Sequence, residues 1–453
     1  MCCSMARKEK KVQDYNWLYS FLRHYTDLVL KLSYRRVKYV GREFIPKDGA
    51  IIYAPNHTNA LMDAMVILAM DRSPKVFVAR ADIFRNPKIA KILHFLRIMP
   101  IMRMRDGMDE VRKNNETIEK AVDVLRDRVP FCIFPEGTHQ AMYSSLPLSK
   151  GIFRIAMQAQ EQMPDMPLYI VPIGIRYGSF FRFRSSLRVQ VGEPINVGKF
   201  IAEHGDMNPN EVMNLMKDEL TANMHKSTFH IPNDEDYDAI YEICATVVKS
   251  QVKNAKFVVE GKRLRGMDAH FEANNRTVRE VLRLKSEKPE VAEELIRLGN
   301  EASQMRKKER ISLKSVSVKY TIFSRIMKIL FVLITLPYTL PVSILTLPIH
   351  YVCNFLFSKL KDYAFRNSVR YVVNLVMWPL LMIVYSIFAY IFLPWQWALP
   401  LTLALLPAPI VAQEAWRAIR ILVSDFKLWR NKELRAKYRR IKSIIRENVA
   451  PKK

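Results

Sequence analysis

Residues 329–358 and 371–413 contain no Asp, Glu, Lys or Arg. Apolar runs of that length leave few folds open, because lipid offers the backbone no hydrogen bonds and a helix satisfies its own. A hydrocarbon core about 30 Å thick takes roughly 20 helical residues per crossing. The second run, 43 residues, therefore fits two crossings that turn near Leu393-Pro394-Trp395-Gln396-Trp397, whose tryptophans suit the interface. The first run has 30 residues, too many for one crossing and too few for two, and Pro337, Pro341 and Pro348 interrupt it. A kinked or re-entrant segment is expected there. Arg325 and Lys328 precede it, and Lys359, Lys361, Arg366 and Arg370 follow. Positive residues on both flanks keep both ends cytoplasmic, whereas one tilted span would invert the later topology.

Elsewhere the chain is basic: 71 Lys and Arg against 44 Asp and Glu, a formal net charge of +27. That balance asks for an anionic partner, either nucleic acid or membrane surface. The end of the chain decides between them. Residues 416–453 read as a basic amphipathic tail, with thirteen Lys or Arg against Asp425, Glu433 and Glu447. Its apolar positions include Ile421, Leu422, Phe426, Leu428 and Trp429. Directly behind an apolar region, such a helix suits anionic lipid headgroups better than nucleic acid; a solvated charged helix is the alternative. Cys2, Cys3, Cys132, Cys244 and Cys353 have the spacing of neither a metal site nor a disulfide framework, and fit a reducing compartment. Met1 to Lys8 lacks the apolar core of a secretory signal.

An amphipathic helix over 13–33, within the segment 1–33, carries Trp17, Leu18, Phe21, Leu22, Leu28 and Leu30. It either lies on a membrane surface or, more simply, packs on the domain that follows. From 34 to 205 strands and helices alternate. Strands are expected at 36–40, 51–54, 76–79, 98–102, 131–134, 168–175 and 187–191, and helices at 60–70, 86–96, 109–128 and 150–162. This is the pattern of an α/β layer domain. Residues 206–318 read as a charged helical region with helices at 208–226, 234–255 and 289–310. Ile231-Pro232-Asn233-Asp234 and a polar stretch near Gly261–Asn275 separate them, and no motif stands out. The membrane region covers 319–415.

One junction in the α/β region carries chemistry. The apolar strand ending at Ala54 hands over through Pro55-Asn56-His57-Thr58-Asn59 to a helix whose one charge is Asp63. A carboxylate buried on such a helix needs a partner, and His57 is the nearest. Six residues at about 100° each would set the two on different faces of one helix. His57 must therefore lie on the preceding loop and reach back, with Asn59 as a natural N-cap. A paired imidazole and carboxylate makes a general base; a capping histidine and an unrelated acid would be the structural alternative.

Four further segments follow: Ile98-Met99-Pro100-Ile101-Met102-Arg103-Met104-Arg105, Phe134-Pro135-Glu136-Gly137-Thr138-His139, Ile170-Val171-Pro172-Ile173-Gly174 and Val191-Gly192-Glu193-Pro194-Ile195. In this order and with the upstream His and Asp, the set resembles the sequence blocks of the PlsC-like glycerolipid acyltransferases over roughly residues 35–200. Five residues between His57 and Asp63, rather than the usual four, look like the branch with fungal-type glycerol-3-phosphate acyltransferases. His139 stands where the family usually has Arg, which removes a permanent positive charge.

The resemblance implies a mixed sheet flanked by helices, followed by a helical region and C-terminal transmembrane helices. It also implies direct acyl transfer from acyl-CoA or acyl carrier protein to a hydroxyl of glycerol 3-phosphate or 1-acylglycerol 3-phosphate, in phosphatidate biosynthesis, without cofactor or metal. His57 would be the base and Asp63 its orienting acid. Arg103, or its neighbour Arg105, would take the acceptor phosphate, since a guanidinium fork matches phosphate oxygens. Glu136 would accept from an acceptor hydroxyl or order the turn. Gly137 would supply a conformation or close approach that a Cβ forbids, with Thr138 beside it. Lys150 opens the next helix, where a bound anion would rationalise its charge; an exposed lysine reads the same way. Pro172 is linked by the resemblance to the acyl-donor site, or is simply a strand-edge proline. No Gly-x-Ser-x-Gly elbow is present, and Cys132 suits a strand core. The expected whole is an integral membrane enzyme with its catalytic domain on the cytoplasmic face. Acyl exchange on other lysophospholipids, a non-catalytic lipid-binding scaffold, and a hydrolase with the same dyad are the rivals.

Overall fold

The computed structural model describes residues 11–101, 109–254, 257–259, 261–318, 321–360 and 362–448. The chain forms two compact units: Met1–Thr228 with Lys361–Tyr371, and Phe229–Leu360 with Val372–Lys453.

In the first unit, α1 (Trp17–Ser33) leads into β1 (Tyr34–Val40), β2 (Ala50–Pro55), α2 (Leu61–Leu68), β3 (Val76–Arg80), α3 (Pro87–Phe95), β4 (Ile98–Ile101), α4 (Asp109–Arg126) and β5 (Phe131–Cys132). Then come α5 (Gly151–Gln162), β6 (Leu168–Tyr177), β7 (Ser185–Val191), β8 (Ile195–Asn196), α6 (Val197–Glu203) and α7 (Pro209–Ser227). The strands make one mixed sheet in the order β1-β7-β6-β2-β5-β3-β4, with β8 also on β6. β2 runs parallel to β5 and β6, so Tyr53 faces Cys132 on one side and Val171 on the other. Strands buried on both faces read as unbroken apolar runs, and Ile52, Tyr53, Ala54, Phe131, Cys132, Ile170 and Val171 are all essentially inaccessible.

Three expectations change here. The unit extends past residue 205 because α7 is part of its core, contributing Met213, Met216, Leu220 and Met224. Pro172 is not at a sheet edge. It sits inside β6, opposite Ala54, in the gap where β8 pairing (Tyr169, Ile170) gives way to β7 pairing from Ile173. A residue with no N–H costs no ladder bond at that joint. Finally, α1 packs on the domain through only part of its apolar set: Leu30 and Tyr19 are buried, while Trp17 is 69%, Phe21 68% and Leu28 53% exposed. Arg23 also holds it, donating to the carbonyls of Leu68, Asp71, Arg72 and Ser73 at 2.6–2.9 Å.

The second unit is helical: α8 (Tyr237–Asn254), a short hairpin of β9 (Val258–Val259) and β10 (Lys262–Arg263), α9 (Gly266–Glu287), α10 (Pro289–Lys308) and α11 (Leu313–Ser317). It continues with α12 (Ile322–Leu345), α13 (Leu347–Lys359), most of α14 (Phe365–Phe392), α15 (Trp395–Leu405), α16 (Ala408–Arg430) and α17 (Lys432–Asn448). The polar stretch expected near 261–275 is largely the first turns of α9. That helix buries Phe271, Ala273, Val278, Val281 and Leu284 at helical spacing. Glu242 of α8, fully buried, accepts from Arg306 of α10 at 2.8 and 2.9 Å and from the Tyr438 hydroxyl of α17 at 2.6 Å.

The tail therefore differs from a helix lying free on lipid. Leu434, Tyr438, Ile441, Ile444 and Ile445 of α17 are buried, while Val423, Phe426 and Trp429 of α16 stay exposed. Two helices, α12 and α14, are long and apolar enough to cross a membrane, or up to three if the α15–α16 pair, bent by 54°, counts as one span. The break after Phe392 falls at the expected turn. The first apolar run is one helix through Pro337 and Pro341, interrupted at Thr346, and then α13.

Candidate active site

The site sits where β2 and β5, parallel neighbours, deliver their C-terminal ends to one place, the usual crevice for ligands in such sheets. Asn56 fixes the loop after β2. Its side-chain carbonyl accepts from the Ile175 N–H at 2.6 Å, and its amide donates to the Ile175 carbonyl at 3.2 Å. The next residue, His57, is thereby aimed by the edge of β6.

Asp63 is wholly buried on α2, and four donors converge on it. One oxygen accepts from His57 Nδ1 at 2.8 Å and from the backbone N–H groups of Thr58 at 2.7 Å and Asn59 at 2.6 Å. The other accepts from the Tyr177 hydroxyl at 2.7 Å. These donors favour the anion and repay its burial. Because a carboxylate only accepts, His57 donates to Asp63 from Nδ1. Asn59 does not take the expected capping role: the N-cap of α2 is Ala60, without a side-chain cap bond, and the Asn59 side chain donates to the Phe180 carbonyl at 2.9 Å. The backbone pivots at Ala60, with φ +47°, an uncommon conformation for a residue with a Cβ, of the kind that clusters at functional sites.

β5 ends at Cys132, two residues earlier than expected; the Ile133 N–H still donates to the Tyr53 carbonyl at 3.1 Å, and the chain then leaves the sheet. Phe134 is thereby free to stack on the His57 ring, centroids 4.1 Å apart at 22°. The Phe134 carbonyl accepts from the Gly137 N–H at 3.1 Å, and Gln140 donates to the His57 carbonyl at 3.2 Å, so the two loops are bonded to each other. Gly137 takes φ +65°, and a Cβ there would meet nothing within 4 Å. The glycine answers a backbone need, and among the described residues no atom crowds the place of a Cβ. Thr138 is exposed beside it.

Glu136 is 7% exposed, and neither carboxyl oxygen completes a hydrogen bond among the described residues. Burial pushes its carboxyl up to about 8, with the Asp63 charge adding to the effect and the nearby amides of His57 and Leu146 opposing it. His139 meets the His57 ring edge-on at 5.2 Å, and its Nε2 lies 3.0 Å from the Asp362 carboxylate. Burial and the neighbouring His57 hold its basicity below the ordinary imidazole, against the pull of Asp362.

The structure thus brings His57, Asp63, Glu136, Gly137, Thr138 and His139 to one pair of loops. Lys150 lies apart as the exposed residue before α5, its carbonyl accepting from the Arg154 N–H at 3.1 Å and its side chain making no cap bond. Pro172 is enclosed in the sheet, its carbonyl accepting from Gly192 N–H at 2.9 Å. Arg103 and Arg105 lie outside the described residues. Cys132 is fully buried and burial drives its thiol far above the usual range, so it is no nucleophile. Sequence reasoning missed Asn56, Phe134, Tyr177 and Asp362. Tyr177 and Asp362 stand 114 and 299 positions from Asp63 along the chain, and no local pattern marks them.

Comparison with known proteins adds the following. Residues 36–176 match the Acyltransferase family. The chain is 26% identical over 293 residues to glycerol-3-phosphate O-acyltransferase 2 of Saccharomyces cerevisiae, covering 60% of this chain and 38% of that one. It is 26% identical over 129 residues to the 1-acyl-sn-glycerol-3-phosphate acyltransferase of Borreliella burgdorferi, covering 28% and 49%. The chain thus spans less than half the length of either curated relative. The crystal structure of PlsC, a 1-acyl-sn-glycerophosphate acyltransferase from Thermotoga maritima, aligns at TM-score 0.33 and 20% identity, covering 45% of this chain and 79% of that one. The segment 36–176, in which His57 and Asp63 pair beside the Glu136–Gly137 loop, is thus similar to the Acyltransferase family, and a fungal glycerol-3-phosphate O-acyltransferase is among the relatives of the chain.

Proposed function

We propose that this chain transfers a fatty acyl group from an acyl thioester, carried by coenzyme A or acyl carrier protein, to a hydroxyl of glycerol 3-phosphate or 1-acylglycerol 3-phosphate. The observation that carries the reading is the 2.8 Å bond between His57 and a fully bonded Asp63, facing the Glu136–Gly137–Thr138 loop. His57 Nε2 takes the hydroxyl proton as the oxygen attacks the thioester carbonyl. Asp63 holds the tautomer and steadies the imidazolium, and the proton passes to the departing thiolate as the C–S bond breaks. Such a base contributes about 10²–10⁴ in rate. Arg103 is proposed as the cation for the acceptor phosphate. The exposed apolar face of α1 and the apolar helices α12 and α14 suit a membrane enzyme working at the cytoplasmic surface, with anionic headgroups as neighbours.

The test is purified full-length protein with labelled acyl donors and each acceptor offered separately, products identified by mass. Acyl glycerol phosphate is the expected product, lost in His57→Ala with the fold intact. Free fatty acid as the sole product would point to a hydrolase, and acyl exchange on other lysophospholipids to the neighbouring activity. Equal turnover with and without His57 would remove the assignment.

A further inference from the structure

Residues 362–371 meet the site at three places, each one step removed from His57 or Asp63. First, Asp362 accepts from His139 Nε2 at 3.0 Å, and Phe365 meets the same ring edge-on at 4.9 Å. His139 in turn packs edge-on against His57, whose face already stacks on Phe134. Second, Arg370 donates to the Phe181 carbonyl at 2.6 Å, and the preceding carbonyl, of Phe180, holds the Asn59 side chain. Asn59 also gives its backbone N–H to Asp63. Third, Asn367 and Tyr177 both face the buried hydroxyl of Tyr34, and Tyr177 donates to the second oxygen of Asp63. Ala364, Asn367 and Ser368 are buried. A mere surface connection between α13 and α14 would leave an asparagine and a serine in water.

We propose that residues 362–371 position the catalytic pair. Asp362 and Phe365 fix His57 through His139, and Asn367 and Arg370 brace the groups bonded to Asp63. The inference rests on the acyl-transfer reading and deepens it. The Asp63 bond holds one ring nitrogen of His57, while the plane of the ring is left to its neighbours. Phe134 lies on its face and His139 packs edge-on, so a shift of His139 lets the imidazole tilt. A base must stand within hydrogen-bond reach of the proton it takes, and small misplacements of a reacting group lower the rate. His139 owes its own orientation to Asp362 and Phe365. The segment holds no substrate in this scheme. It acts through the pair, and its effect belongs to kcat.

Asp362 is the cleanest probe, because its side chain is half exposed and its loss leaves the core intact. In the whole chain, Asp362→Ala should lower kcat by about three- to tenfold, with KM for donor and acceptor within about twofold of wild type. Asp362→Asn keeps an oxygen that accepts from His139 and should recover most of the loss. His139→Phe keeps a ring beside His57 but offers no donor, so in that background Asp362→Ala should cost nothing further. Additive losses overturn the proposal, as does a rise in KM with kcat unchanged, which would place the segment on substrate. Wild-type kcat in Asp362→Ala overturns it too. A second readout needs no turnover. In protein with isotope-labelled histidine, the ring-nitrogen resonances of His57 are identified by their absence in His57→Ala. They should shift in Asp362→Ala and in Phe365→Ala, and unmoved resonances overturn the proposal. Wild-type protein without acyl transfer to any acceptor would sink the functional reading, while the His57 resonances would still decide whether 362–371 governs the pair.

Discussion

Asp63 joins most of the site's hydrogen bonds, and each has a separable role. His57 and the two backbone amides hold one oxygen, while Tyr177 alone holds the other. Tyr177 is fully enclosed, and burial together with the Asp63 charge keeps its phenol protonated, so it always donates. Removing that donor with Tyr177→Phe leaves the oxygen buried with one partner fewer, at a cost of about 1–3 kcal/mol in stability. Nothing in that bond touches an acceptor directly, so kcat should fall by about tenfold with KM little changed; a KM effect alone would show that Tyr177 contacts substrate. The pairing of His57 and Asp63 was legible because a lone acid on an apolar helix demands a partner. Tyr177 was not, because a tyrosine at the end of an apolar strand reads as core until tertiary contact gives its hydroxyl a task.

At the scale of elements, β6 is the spine. It pairs with β2, β7 and β8, aims Asn56 and ends in Tyr177. Gly174 lets α7 lie against it: a Cβ there would stand 2.0 Å from the Ser227 carbonyl oxygen, a backbone atom that cannot rotate away. Gly174→Ala should destabilise by about 3 kcal/mol or more, read as a lower unfolding midpoint, together with misplacement of the strand that holds Asn56. A substitution without measurable effect would mean the α7 contact is soft. The alternation of strands and helices through this unit follows from apolar runs broken by Gly, Pro and polar clusters, and was legible for that reason. Two departures have physical causes. β5 ends at Cys132 although Ile133 and Phe134 are good strand residues, because Phe134 leaves the ladder to stack on His57. The start of α9 reads as polar because its buried positions, such as Ala269, Ala273 and Asn274, are small or polar, and the apolar residues that reveal its period come later.

For the whole molecule, the notable fact is that the first unit takes back residues 361–371 after α12 and α13. Asp362 binds His139, Arg370 donates to the Phe181 carbonyl at 2.6 Å, and Tyr371 donates to the Thr26 carbonyl at 2.9 Å. If α12 and α13 enter a bilayer, the chain must leave it on the side where it entered. α12, 24 residues long, could cross alone, but α13 has 13 residues, too few to return across. Under that condition the pair would be an excursion into the membrane from one face. A single cysteine at Tyr363, in a background without other accessible cysteines, should be labelled from the same side as one placed at Asp48. Labelling of the two from opposite sides would require a full crossing and detach 361–371 from the site.

That return has a consequence for biosynthesis. Ribosomes make the dyad early, yet Asp362, the carboxylate beside His139, emerges only after α12 and α13 have been made. A fragment cut before residue 361 would carry every residue of the recognised motif and still lack a wall of its own active site. Completion of this pair of loops thus waits on synthesis of the two apolar helices that precede residue 361.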